Sequence, residues 1–169
     1  LRSERFVSMA ETHLLCDRLT ITCTEDGDLE LHTGISTDIW DINGPHLFDF
    51  RFQQGEALLT QAVTGQKGIR VASAQCAHVN AAVQESFVQN ENGVFRVLRR
   101  QVKAGETLLV DLFGAVYTSL DGGEPAEAAQ SLCTRMKAQG MDACLQAHKA
   151  AWAEINRLSE ITLEGDEAA

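Results

Sequence analysis

Along the first two thirds of the chain, apolar and polar residues alternate in short runs separated by turn-forming residues. A period of two puts successive side chains on opposite faces of a strand. The runs are Arg5–Ala10, His13–Cys23, Leu29–Ile35, Leu47–Phe52, Ala57–Thr64, Ile69–Val79, Ala81–Gln89, Val94–Val102 and Thr107–Ser119. In the third, Leu29, Leu31, Thr33 and Ile35 oppose Glu30, His32 and Gly34. In the fourth, Phe48, Phe50 and Phe52 are expected on one face, with Asp49 and Arg51 on the other. Glu25–Asp28 carries an Asp-Gly step, which tolerates the positive φ of a hairpin turn. Thr107–Ser119 is nearly all apolar, as expected of a strand buried on both faces. About eight to ten short strands joined by turns predict a mainly β fold, an antiparallel sandwich or barrel.

The period changes after Asp121. Glu124-Pro125 opens a helix, because proline fits the first turn. Ala129, Leu132, Cys133 and Met136 form its apolar stripe, and Gly140 ends it. Asp142 is placed to cap a second helix, where Leu145, His148, Trp152 and Ile155 fall at three- and four-residue spacing. The segment from Ile161 reads as a short extended exit. Residues 1–121 are therefore read as the β part, a sandwich or barrel, and 122–169 as a helical hairpin. Such a hairpin can pack on the sheet or bridge to a following domain.

Charge narrows the partners. The net charge is −10, with a pI near 4.9. Nucleic acid and anionic membrane surfaces are poor partners for such a surface. Arg96, Arg99, Arg100 and Lys103 form a local basic cluster, expected on a solvated face. The five cysteines, Cys16, Cys23, Cys76, Cys133 and Cys144, have neither metal spacing nor an even count. They are expected as reduced, mostly buried thiols in a cytoplasmic protein.

No nucleophile-elbow, phosphate-loop or dinucleotide motif is present in the sequence, and no catalytic residue or metal ligand is assigned. His148 and Trp152, one helical turn apart, read as a ligand shelf or as the docking face of a helix. The strongest candidate for ligand contact is the loop "GISTDIWDINGPHLFDF", Gly34–Phe50. Trp40 suits stacking on a sugar ring, and Asp38, Asp41, Asn43 and His46 supply donors and acceptors for hydroxyls. The alternative is structural: Asn43-Gly44-Pro45 as a turn, with Ile39, Trp40 and Ile42 pinning the loop to the sheet.

Four segments, "RSERFVSMAETHLL", "LELHTGISTDIWDINGPHL", "LLVDLFGAVYTSLD" and "AHKAAWAEINRLSEITLEGDEAA", resemble the N-terminal region of glycoside hydrolase family 65. That family includes maltose, trehalose, kojibiose and nigerose phosphorylases. The last segment is the most specific of the four. Asn156 departs from the pattern, standing where the family often has a second tryptophan.

The resemblance implies the later part of a large β-sandwich, Met9 to Asp121, then linker helices, Pro125 to Glu160, leading to an (α/α)6 catalytic barrel. It also implies inverting phosphorolysis of an α-glucosyl disaccharide, giving β-glucose 1-phosphate and a free sugar. A glutamic acid protonates the leaving oxygen, and inorganic phosphate is the co-substrate; no organic cofactor or metal is implied. The general acid and phosphate-binding residues would lie in the barrel, so this chain alone is expected to be inactive. Its partners would be its own catalytic domain, the disaccharide and a second subunit. Hydrolysis in place of phosphorolysis stays open, as does a stand-alone carbohydrate-binding or structural module. A partial sandwich is also expected to leave edges and apolar surface exposed, and so to self-associate or be completed by further strands.

Overall fold

Nine strands and two helices form among the residues that the computed structural model describes, 1–39, 42–159 and 165. The strands are β1 (Arg2–Val7), β2 (Leu14–Thr22), β3 (Gly27–Ser36), β4 (Leu47–Gln53), β5 (Leu58–Thr64), β6 (Arg70–Val79), β7 (Gln84–Asn90), β8 (Gly93–Val102) and β9 (Thr107–Thr118). The helices are α1 (Pro125–Gln139) and α2 (Met141–Arg157). Each run of alternation becomes a strand. Six pair antiparallel in the order β1-β2-β9-β6-β5-β4, and three in the order β3-β8-β7. The fold is an antiparallel β-sandwich followed by a helical hairpin. The exit expected from Ile161 lies outside the described residues.

The six-stranded sheet is the middle layer. On β6, Ala72, Ala74 and Cys76 face the helices, while Gln75 faces the smaller sheet. Small side chains on β6 let α1 approach closely, and Leu132, Cys133 and Met136 fill the space above Phe113. Toward the smaller sheet, the Gln75 side chain accepts from Thr33 Oγ1 at 2.9 Å and donates to the Gly34 carbonyl at 3.2 Å. These two bonds fix the layers against each other at a point where an apolar contact would allow slippage.

The Asp-Gly step does not make a hairpin. β2 already has β1 and β9 as neighbours, so the chain leaves the large sheet at Cys23 and begins β3 in the small one. The β8–β9 connection makes the same crossing alongside it. The two crossings brace each other. Cys23 N–H donates to the Glu106 carbonyl at 2.9 Å, and the Asp26 carboxylate accepts from Ala104 N–H at 2.9 Å and Lys103 Nζ at 2.8 Å. The β2–β9 ribbon thus folds over a corner to become β3–β8.

Four further expectations are corrected. First, β4 carries a bulge: Phe48 pairs with Val63 and Arg51 with Gln61, and Asp49 has φ 56°. The extra residue breaks the alternation, so Phe48 and Phe52 lie on opposite faces. Second, Arg96 is not on a solvated face. It is 2% exposed, pointing between the layers, where its guanidinium pairs with Glu85, donates to the Gly55 and Glu56 carbonyls, and lies 5.8 Å from the Phe87 ring centre. Arg99, Arg100 and Lys103 meet Glu30, Glu106 and Asp26. Third, Asp142 does not cap α2. Gly140, with φ 87°, joins the two helices directly, and Asp142 falls in the first turn. Fourth, β9 is buried on both faces only in part. The smaller sheet does not reach its end, where Val116 is exposed together with Leu15 and Val7.

Candidate functional site

The candidate loop runs from the end of β3 in one layer to the start of β4 in the other. Its first residues are tied to the β7–β8 turn. Thr37 N–H donates to the Asn92 carbonyl at 2.8 Å, and Thr37 Oγ1 to the Glu91 carbonyl at 3.3 Å. Ser36 Oγ accepts from Asp38 N–H at 3.2 Å, a local turn of the kind serine favours. The far end is tied to the β5–β6 turn, where Gly65 N–H donates to the His46 carbonyl at 3.0 Å. Phe48 packs over Gly65, a contact that any side chain there would obstruct.

Between these anchors, Ile39 is 65% exposed and Ile42 76%. Neither isoleucine pins the loop to the sheet, so the structural reading of the loop loses two of its three anchors. Trp40 and Asp41 lie outside the described residues. The structure does bring Asn43 and His46 together. With Pro45, Phe48, Lys67 and Ile69 they line a groove of about 580 Å³. Phe48 offers an apolar wall, Lys67 a cation, and Asn43 both donor and acceptor capacity. Such a mixture suits a polyhydroxylated ligand. Sequence reading missed Phe48 and Lys67. Lys67 stands in the turn 64–68, whose Gly-rich sequence marks only a boundary between two strands.

In the other candidate pair, His148 packs at the edge of the larger sheet. Met9 N–H donates to His148 Nδ1 at 3.1 Å, and the Phe6 ring lies 4.8 Å from the imidazole. His148 thereby docks α2 on β1. Trp152 meets His148 edge-on at 6.5 Å and continues with Ile155 and Leu158 as an exposed apolar stripe. Among the described residues, no group of three or more His, Cys, Asp or Glu side chains is placed to hold a metal ion. No helix among them is long and apolar enough to cross a membrane. The five cysteines are free, and Cys16, Cys76, Cys133 and Cys144 are buried.

The described residues thus form a two-sheet antiparallel sandwich with a helical hairpin on its larger sheet. Residues 1–155 match the family described as glycosyl hydrolase family 65, N-terminal domain, and the chain belongs to that family. It is 26% identical to nigerose phosphorylase of Lachnoclostridium phytofermentans, over all of this chain and 26% of that protein. It is also 26% identical to 1,2-alpha-glucosylglycerol phosphorylase of Bacillus selenitireducens, over 76% of this chain and 17% of that protein. A solved structure from the human microbiome, assigned as a kojibiose phosphorylase, superposes with a TM-score of 0.69 at 11% identity. That match covers 90% of this chain and 21% of the solved one, and at this identity it bears on the fold alone. The chain spans about a quarter of the relatives' length at most.

Proposed function

We propose that this chain is the non-catalytic N-terminal portion of a glycoside phosphorylase, acting beside a catalytic domain carried by the same polypeptide. The observation that carries the reading is the family match over residues 1–155, together with two relatives that are both phosphorylases. The reaction of the whole protein is inverting phosphorolysis of an α-glucosyl disaccharide. Inorganic phosphate is the co-substrate, and β-glucose 1-phosphate and a free sugar are the products. Residues 1–121 form the sandwich portion and 122–169 the linker to the catalytic domain. Trp152, Ile155 and Leu158, presented along one side of α2, support docking of that domain there. The five free thiols fit a reducing compartment such as the cytoplasm. The assembled enzyme is proposed to be a homodimer.

The loop around Asn43 and His46 is proposed to reach the mouth of the active site. Its two exposed isoleucines and the groove beside it support this role. Steady-state kinetics of Trp40→Ala in the full-length enzyme test it. A raised KM or lowered kcat is expected, and unchanged values for both would remove the loop from the account. A second reading, a stand-alone carbohydrate-binding module, draws on the same groove. It is distinguished by titrating the 169-residue chain with maltose or nigerose and following tryptophan fluorescence.

A further inference from the structure

The groove beside the start of β4 owes its apolar wall to a strained residue. Asp49 has φ 56°, in the left-handed region that glycine ordinarily takes at such a bulge. It stands directly after Phe48. Without the extra residue, Phe48 would share a face with Phe52. Instead Phe52 stacks with Phe50, ring centres 6.3 Å apart, and Phe48 turns to the opposite face. Its ring lies on the bare backbone of Gly65 and is still 43% exposed. Exposing a phenylalanine gains nothing for the fold, and strain of this kind concentrates at binding sites.

The other wall is held just as firmly. Three hydrogen bonds from Thr64 close the β5–β6 turn. Its N–H donates to the Ile69 carbonyl at 2.9 Å, its carbonyl accepts from Gly68 N–H at 3.1 Å, and its hydroxyl accepts from Ile69 N–H at 3.0 Å. Lys67 stands within this turn, exposed, and makes no ion pair with any of the described residues. Asn43 adds an amide from the loop side.

We propose that this groove is a sugar subsite, in which a neutral pyranose ring stacks on Phe48 and its hydroxyls bond to Lys67 and Asn43.

The C–H face of a pyranose is apolar and slightly positive, which suits the negative face of an aromatic ring. Hydroxyls at the rim of the sugar accept from the Lys67 ammonium, and they both donate to and accept from the Asn43 amide. A neutral ligand fits better than an anion. The groove offers one lysine in a chain of net charge −10, and no arginine fork to hold a phosphate or carboxylate. That the ring is a glucosyl unit rests on the phosphorylase reading above; the groove itself asks only for a pyranose and its hydroxyls. The ring belongs either to the disaccharide being cleaved or to a separate glucan held at the surface.

Saturation-transfer NMR of the 169-residue chain with maltose and nigerose tests the subsite, and it tolerates association of the chain. Transfer is expected to the C–H protons on one face of one pyranose ring. Phe48→Ala should abolish it, and Lys67→Ala, on an exposed turn, should weaken affinity about tenfold. No transfer from the wild-type chain would overturn the proposal, as would transfer unchanged in Lys67→Ala. Kinetics of Lys67→Ala in the full-length enzyme separate the two sources. A raised KM assigns the ring to the disaccharide, and an unchanged KM with transfer retained in the wild type assigns it to a separate glucan. Failure of the phosphorylase reading is a different result: sugar transfer to the chain persists, while the full-length protein releases no glucose 1-phosphate.

Discussion

Arg18 and Asp111 face each other across the β2–β9 ladder and are joined by two parallel hydrogen bonds, Nε to Oδ1 at 2.6 Å and an Nη to Oδ2 at 2.9 Å. Asp111 is buried, and the same guanidinium reaches Asp142 in the first turn of α2 at 2.7 Å. One side chain thus links two strands and a helix. Arg18→Leu strands the Asp111 carboxylate in the core edge. A loss of about 2 kcal/mol is expected, less than for a fully enclosed pair because the guanidinium is part-exposed. Urea unfolding measures it. Asp142→Ala should be nearly neutral, because its carboxylate is solvated; equal losses for the two variants would contradict the assignment.

The corner between the sheets is expected to fail in acid. The Asp26 carboxyl is held below its ordinary 3.8 by Lys103 and then by Ala104 N–H. Glu106 is held below its ordinary 4.5 by Lys103 N–H and then by Arg100. A carboxyl lowered in the folded state stabilises fully above its unfolded value and loses that contribution as pH falls through the lower folded value. Melting temperature should therefore be level above about pH 5 and drop below it. Glu106→Gln should lower the plateau and flatten the drop. A wild-type profile already flat to pH 3 would count against the corner as a stabilising feature.

Gly34 on β3 lies hard against the backbone of β8. An added Cβ there would run into the Val94 carbonyl and the Phe95 backbone. Those atoms belong to the paired strand β8 and cannot swing aside. Gly34→Ala should cost about 3 kcal/mol and weaken hydrogen-exchange protection along β3 first. Gly27→Ala, which meets nothing within 4 Å, is the control and should change little.

The open end of the large sheet predicts association. Val7, Leu15, Ile35, Leu112 and Val116 line an apolar groove of about 650 Å³ beside β3. Unless further strands of a longer polypeptide cover it, this face should draw copies of the chain together. Sedimentation of the isolated chain should show concentration-dependent growth, which Val7→Lys combined with Val116→Lys should suppress. A chain that stays monomeric throughout would show that the groove needs no cover.

Much of the strand pattern was legible because one face of the large sheet is a continuous core. Ala72, Ala74 and Cys76 must alternate with polar neighbours to sit beneath α1, and that alternation is visible residue by residue. The corner was not legible, because Asp26-Gly27 makes the same local turn whether the next strand returns to its neighbour or crosses to another layer. Partner choice depends on β9, some eighty residues further on. The place of Arg96 is hidden for a related reason: burying a guanidinium depends on Glu85 and the carbonyls of Gly55 and Glu56, which no local pattern announces. Within the candidate loop, the residue types were visible, whereas Lys67 joins the groove only because the β5–β6 turn folds beside His46.

The most direct test of the central claim is a product assay on the polypeptide encoded by the whole open reading frame that contains this segment, run beside the 169-residue chain. Each is incubated with nigerose, kojibiose, maltose and trehalose, with and without inorganic phosphate, and glucose 1-phosphate is measured. The account predicts phosphate-dependent release of β-glucose 1-phosphate from one of these sugars by the long polypeptide, and none by the chain alone. Release by the 169-residue chain, or a frame that closes directly after Ala169, would contradict it.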